Sequence, residues 1–440
     1  MACDADDSPA SAEEHLEESP VTTMTDLAGV DDLLMDPAWY AKNDWHPTFK
    51  KLRREDPIHW TDDKRYGHPY WAVTTYDAIR EVYERWDLFS SRMGTPLPPR
   101  GGRRFTPEER FAMALDVRAP TVDPPVHGLY RRPINKHFSV PAIAKLTEQL
   151  DRIIESLIID VAEKKEFDLI KDVVAQLPVR AVFGLLGVPE EDWASLQASV
   201  ARYALGSDPE YTIDNDPVKT TAIGAREVDE YASRLALARR EDPRDDLASV
   251  IGTLKIDRDN LSLHEMTAWF TTLILGGGET TRNALGNGMW QFLENPEQRK
   301  LIVENEAVLP DAVEEVLRWG SPSRTVLRVA NEDLEFRGKE MRTGDWIILF
   351  AASGNRDESI WEDPDRFDIT RERKENLALG HGIHKCLGRN LARLEMTRFF
   401  PKFLSAFPEL AMTAEPVWVA DYNSNGIHHM PVTHNGVVHR

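Results

Sequence analysis

The sequence predicts a mainly α-helical domain that carries small β-sheets. Apolar residues recur at helical spacing over most of the chain, as in Ile143, Leu146, Leu150, Ile153, Leu157 and Val161. Short β-type runs collect near the two ends. No internal repeat is visible, and the mix fits one large α-rich domain with a small sheet.

Composition bounds the class. The 440 residues could make two or three domains by length alone, but single domains of this size exist. A hydrophobic fraction of 41% suits a globular protein with a large core. A net charge of −21 argues against general nucleic-acid binding. No apolar run reaches the ~18–20 residues that span a bilayer. Residues 1–25 read as a disordered acidic tail, not a signal peptide, since the start is acidic and poor in apolar residues. Residues 26–440 are then the folded domain. The two cysteines, Cys3 in the tail and Cys386 near the C-terminus, predict no structural disulfide and fit a reducing cytoplasm.

The elements follow in order. Pro47 to Arg54 reads as a short amphipathic helix, and Asp77 to Trp86 as another. Between them, Pro57–Trp60 and Pro69–Val73 are strands of a hairpin turning near Gly67. Phe89 to Val122 is rich in Pro, Gly and Arg and reads as a long irregular loop, functional or disordered. Two prolines at 124 and 125 open a helix that places His127 and Arg131 four apart on one face. Further helices are expected over 170–186, 190–204 and 222–240, with a loop from Ser207 to Pro217. The box Ser262-Leu263-His264-Glu265 starts a long helix reaching about Leu293. It contains Gly276, Gly277 and Gly278, each costing ~1 kcal/mol against alanine in a helix interior. Close approach of a ligand or cofactor, or tight helix packing, would offset that cost. Pro296 opens the next helix, Glu315 and Arg318 share another, Trp346 to Ala351 is a strand, and Val417 to Val432 suggests a hairpin about Asn425-Gly426.

One stretch organises the rest: Leu379-Gly380-His381-Gly382-Ile383-His384-Lys385-Cys386-Leu387-Gly388, leading into a helix from Arg389. A lone cysteine is usually an inert hydrophobe, but a thiolate at a helix start is stabilised by free N–H groups and the helix dipole. The surrounding glycines argue that the backbone comes close to something flat or bulky.

This stretch resembles the haem-binding loop of the cytochrome P-450 family, Phe-Gly-x-Gly-x-His-x-Cys-x-Gly, with Leu379 in place of Phe. The resemblance implies that Cys386 is the axial thiolate on haem iron, which favours O–O cleavage. Three further motifs match the family. Asp-Pro-Pro-x-His-x-x-x-Arg resembles the propionate-binding helix and implies that role for His127 and Arg131, with Arg328 as a third contact and His384 and Gly277 also at the cofactor. Gly276-Gly277-Gly278-Glu279-Thr280, with Gly276 in place of the commoner Ala, is similar to the oxygen-activation motif and implies an acid–alcohol pair, Glu279 and Thr280, for proton delivery. Glu315, Arg318 and Arg366 resemble a buried structural triad.

The resemblance implies a cytochrome P-450 fold with haem b between the long helix and the cysteine loop. It further implies a cytoplasmic, monomeric monooxygenase, with O2 as co-substrate. Electrons would come from a separate ferredoxin or flavodoxin with an NAD(P)H-dependent reductase, since no flavin or nicotinamide module is expected in the chain. Lys385, Arg389, Arg393, Arg132 and Lys136 offer a basic docking face, or else solvated helix charges. The runs Thr281-Arg282-Asn283 and Asn355-Arg356-Asp357 resemble terpene and steroid hydroxylases, so a terpenoid or steroid-like substrate is expected. An aromatic or fatty-acid-type substrate is the alternative; a non-catalytic haem protein would lack Glu279-Thr280. Trp86, Phe89, Phe105, Phe111, Met113 and Leu115 offer apolar pocket surface or ordinary packing, and Arg100, Arg103 and Arg104 a polar end.

Overall fold

The computed structural model describes residues 27, 29–62, 68–93, 106, 108, 110, 114–204, 211–256 and 259–436. The expected tail, and the pocket candidates Arg100, Arg103, Arg104, Phe105, Phe111 and Met113, lie outside these residues. Among the described residues no helix is long and apolar enough to cross a membrane.

Eleven helices carry the argument. They are α1 (His46–Glu55), α2 (Tyr76–Glu84), α3 (Val126–Asn135), α4 (Thr147–Ala162) and α5 (Gln176–Leu186). Next come α6 (Trp193–Ala204), α7 (Pro217–Glu241), α8 (Leu263–Glu294), α9 (Pro296–Glu304), α10 (Leu309–Gly320) and α11 (Arg389–Ala406). α8 is the axis of the helical half, packed by α5 and α7 on one side and by α10 and α11 on another. Its start has both bonds of the capping box: Glu265 N–H donates to Ser262 Oγ at 3.2 Å and Ser262 N–H to Glu265 Oε2 at 2.7 Å. The stripe on α4 is core: Leu150, Ile153, Leu157 and Val161 are all buried.

The expected helix over 170–186 is broken in two. Ile170–Val174 forms a π turn before α5 begins at Gln176. Asp168 accounts for this start, accepting from the N–H groups of Ile170 at 3.0 Å and Lys171 at 3.3 Å. α7 begins at Pro217, earlier than apolar spacing suggests, because Asp216 caps it by accepting from Lys219 N–H.

The main sheet runs in the order β1 (Ile58–Thr61), β2 (Tyr70–Val73), β5 (Trp346–Phe350), β4 (Thr325–Ala330), β3 (Phe89–Ser90). β1 and β2 form the expected antiparallel hairpin; β5 then lies parallel to β2 and antiparallel to β4. Every residue of β5 is buried, as its central place with both faces covered requires. Phe89 is fully buried in β3 against Phe336, so it is packing and not pocket lining. Near the C-terminus β6 (Val417–Trp418) pairs with β7 (Ile427–His429), and residues 419–426 between them fold back onto α8.

Candidate haem–thiolate site

The cysteine loop is shaped by backbone conformations that glycine tolerates. Gly380 and Gly382 have φ of +66° and +68°, and a Cβ on Gly382 would lie 2.6 Å from the carbonyl oxygen of Tyr83 at the end of α2. The loop closes where Cys386 N–H donates to the Leu379 carbonyl at 2.8 Å. Cys386 then sits just ahead of α11. Burial pushes its thiol up, while the Gly388 backbone and the charges of Arg131, Arg389 and Arg393 pull it down. Burial outweighs these groups, so the balance on the half-buried thiol is upward, and the three arginines are the charges that would support a thiolate once it is held as a ligand.

Facing it across a cavity of about 250 Å³ is α8. Cys386, Leu387 and Gly388 form one wall, and Gly276, Gly277, Thr280 and Thr281 the other. A Cβ on Gly276 or Gly388 would meet nothing within 4 Å, so both walls open onto the same space. Gly277 lines the cavity and also lets α8 pack on α5, since a Cβ there would come within 2.5 Å of Val182 Cγ2. Pro322 and Ser323 complete the wall.

At the edge of this cavity the structure gathers His127, Arg131, Arg328 and His384. The rings of His127 and His384 stand 4.6 Å apart. His127 Nε2 is buried without a hydrogen-bond partner, and its pKa is lowered by burial and then by Arg131. His384 is pushed down to about 2, first by burial and then by the charges of Arg328, His127 and Arg131; only the backbone of Ala119 opposes the shift. Arg328 is 3% exposed, lies over the Tyr83 ring, and donates to the neighbouring Leu327 carbonyl at 2.8 Å. Arg131 donates to the carbonyl of Lys385 at 2.6 Å. Two buried donors, His127 and Arg328, and two half-buried ones, Arg131 and His384, with so few acceptors call for an anion with several oxygens. The two propionates of haem fit that need.

The acid–alcohol pair is brought to α8 but split between its faces. Thr280 points into the haem cavity, its hydroxyl donating back to the Gly276 carbonyl at 2.9 Å. Glu279 lies one residue round the helix and lines a second, larger cavity of about 890 Å³ with Gly278, Arg282 and His428. There Glu279 Oε1 accepts from Ser424 Oγ at 2.7 Å.

The structural triad needs correction. Glu315 and Arg318 pair as expected, Nε to Oε2 at 2.7 Å with side chains 3% and 1% exposed. Arg366 does not join them. The chain turns at Asp363, where φ is +43°, and leaves the Arg366 side chain 66% exposed near Asp368. Only its carbonyl takes part, accepting from Arg318. Arg371 supplies the third guanidinium, 3.4 Å from Glu315.

The basic face is mixed in charge. Lys385 pairs with Glu375 and Arg393 with Glu314, while Arg389 donates to the Cys386 carbonyl.

Sequence reading missed Glu395. It lies four residues from both Leu391 and Phe399 on the buried face of α11, lines the haem cavity, and is 1% exposed. The signal was a carboxylate at a core position of an apolar helix. Oε2 has no partner, and burial raises its pKa well above the usual carboxylate range. A raised folded-state pKa means that folding binds a proton once pH exceeds the ~4.3 of an unfolded glutamate, so stability falls as pH rises. Glu395→Gln should therefore raise Tm at about pH 8 and leave it unchanged near about pH 4, where both states are protonated. Equal Tm differences at both pH values in thermal melts would refute this.

Comparison with known proteins agrees with the geometry. The family profile described as Cytochrome P450 matches residues 219–427. Cytochrome P450 126 of Mycobacterium tuberculosis is 32% identical over 426 residues, 94% of this chain and all of that protein. A steroid C26-monooxygenase of Rhodococcus jostii is 31% identical over 401 residues, 89% of this chain and 82% of its own length. Among solved structures, CYP108D1 of Novosphingobium aromaticivorans superposes with a TM-score of 0.82 at 25% identity, covering 93% of this chain and 98% of that one.

Proposed function

The chain belongs to the cytochrome P450 family of monooxygenases, and from that premise we propose that it hydroxylates an unactivated C–H bond of a terpenoid or steroid-like molecule. The reaction is R–H + O2 + 2 e− + 2 H+ → R–OH + H2O. The observation that carries it is the half-buried Cys386 facing Gly276 and Thr280 across one cavity, with His127, Arg131, Arg328 and His384 at its edge. The likeness to a steroid C26-monooxygenase over most of both chains supports the substrate class.

Haem b, when bound, supplies the activation of dioxygen. The chain's own residues do the rest. Cys386 would hold the haem iron through the thiolate. His127, Arg131, Arg328 and His384 would hold the propionates with hydrogen bonds. Trp269 and Leu273 give the cavity an apolar wall that excludes water and suits a hydrophobic substrate. Thr280 presents a hydroxyl into the cavity, and Glu279 stands behind it as the acid that draws protons from the larger cavity. Electrons come from a separate ferredoxin or flavodoxin in the cytoplasm.

Optical titration of the ferric protein tests this reading. A panel of terpenoids, steroids, fatty acids and small aromatics is added in turn. A shift to high spin with terpenoids or steroids is expected. A shift confined to fatty acids or aromatics would replace the substrate class. Failure to bind haem after supplementation would remove Cys386 from its role.

A further inference from the structure

Ser424 lies in the 419–426 segment, far in sequence from the residues it touches. Its hydroxyl donates to Glu279 Oε1 at 2.7 Å and accepts from Asn283 Nδ2 at 2.8 Å. Asn283 is one helical turn beyond Glu279, so the hydroxyl is clamped between two side chains of α8. Because an amide N–H can only donate, it occupies the Ser424 oxygen and leaves the hydroxyl proton directed at the carboxyl.

The segment is itself anchored. Arg324, 1% exposed, donates to the Asp421 carbonyl at 2.6 Å, to Asn425 Oδ1 at 2.7 Å, and to the Ser424 carbonyl. Asn287 donates to the Asn425 carbonyl at 2.9 Å, and Arg282 to that of Ile427 at 3.0 Å. A Cβ on Gly426 would stand 1.9 Å from Asn283 Oδ1, so the absence of a side chain lets the backbone approach this closely. Ser424 also bridges Ser323, which lines the haem cavity.

We propose that Ser424 is the positioning residue for Glu279. It holds the carboxyl in the one orientation from which protons pass from the larger cavity toward Thr280. Freed from Ser424, the carboxyl samples several rotamers, and the second proton arrives late. The same electrons and dioxygen then leave as hydrogen peroxide, O2 + 2 e− + 2 H+ → H2O2, and not as hydroxylated product with water. This inference rests on Glu279 being the proton donor of the proposed reaction.

The test uses the haem-loaded full chain and a substrate that gives the high-spin shift. Ser424→Ala should keep haem content, Tm and spectral Kd close to the parent. It should lose roughly 3–10-fold in product formed per NAD(P)H, with peroxide making up the difference and a larger solvent isotope effect. Ser424→Thr, which keeps the hydroxyl, should restore coupling. A crystal structure of the Ser424→Ala protein should show Glu279 turned from its present place.

Glu279→Gln separates the two claims. The double variant with Ser424→Ala should couple no worse than Glu279→Gln alone, since both changes act on one carboxyl. If the two losses multiply, or if Ser424→Ala couples like the parent, Ser424 is only a loop residue and the proposal falls. If Glu279→Gln itself couples like the parent, the proton-donor reading of Glu279 fails first and takes this inference with it. Should Ser424→Ala lose its haem, Ser424→Cys, whose thiol donates only weakly, replaces it with the same outcomes.

Discussion

Replacing Cys386 by serine should abolish the thiolate spectrum of the haem protein and reduce product formation by more than ~100-fold, beyond the ~10–100-fold that losing a supporting partner of a metal ligand costs. The loop that presents the sulfur does not depend on it. Gly380 and Gly382 hold their left-handed conformations, and the Cys386 N–H to Leu379 bond is a backbone bond that serine keeps. The gathering of Arg131, Arg328, His127 and His384 is also independent of the sulfur. The variant should therefore fold and retain some affinity for haem through the propionates. Its ferrous carbonyl spectrum should move to the position of a haem without thiolate. Turnover and a thiolate-type spectrum both preserved in Cys386→Ser would remove this residue from the iron. Cys3→Ser, made alongside, should behave as the parent.

What was legible in the sequence was chemistry at fixed local spacing. The capping box of α8 needs only four residues and appears with both of its bonds. The cysteine loop could be read because its glycines answer to a local conformation, two of them with positive φ. What could not be read depends on distant partners. That Gly277 packs against a helix as well as lining the cavity depends on Val182, nearly a hundred residues away on α5. Asn283 and Asn287, four apart inside α8, look like weak helix formers until the 419–426 segment supplies their carbonyl and hydroxyl partners. Glu279 and Thr280, adjacent in sequence, face different cavities because each residue advances ~100° round a helix.

The arginine beside Glu315 is the sharpest case, because single substitutions separate three candidates. Arg318→Ala should destabilise the protein by about 3–5 kcal/mol, since it strands a buried carboxylate and removes donors from the carbonyls of Asn355 at 2.9 Å and Pro364 at 2.8 Å. Arg371→Ala should cost less, about 1–3 kcal/mol, because Arg318 still neutralises Glu315 at 2.7 Å while the Asp363 and Arg366 carbonyls lose a donor. Arg366→Ala should stay within about 0.5 kcal/mol, as an exposed side chain facing Asp368 at 3.7 Å contributes little. Urea melts of the three variants give the order directly. An Arg366→Ala loss as large as that of Arg318→Ala would mean that Arg366 turns inward in solution and is the third member after all. An Arg371→Ala protein as stable as the parent would mean that Glu315 and Arg318 stand as a pair. The pair matters to the reaction through α10. Leu317, between its two members, lines the haem cavity, so loosening Glu315 and Arg318 should also lower haem retention.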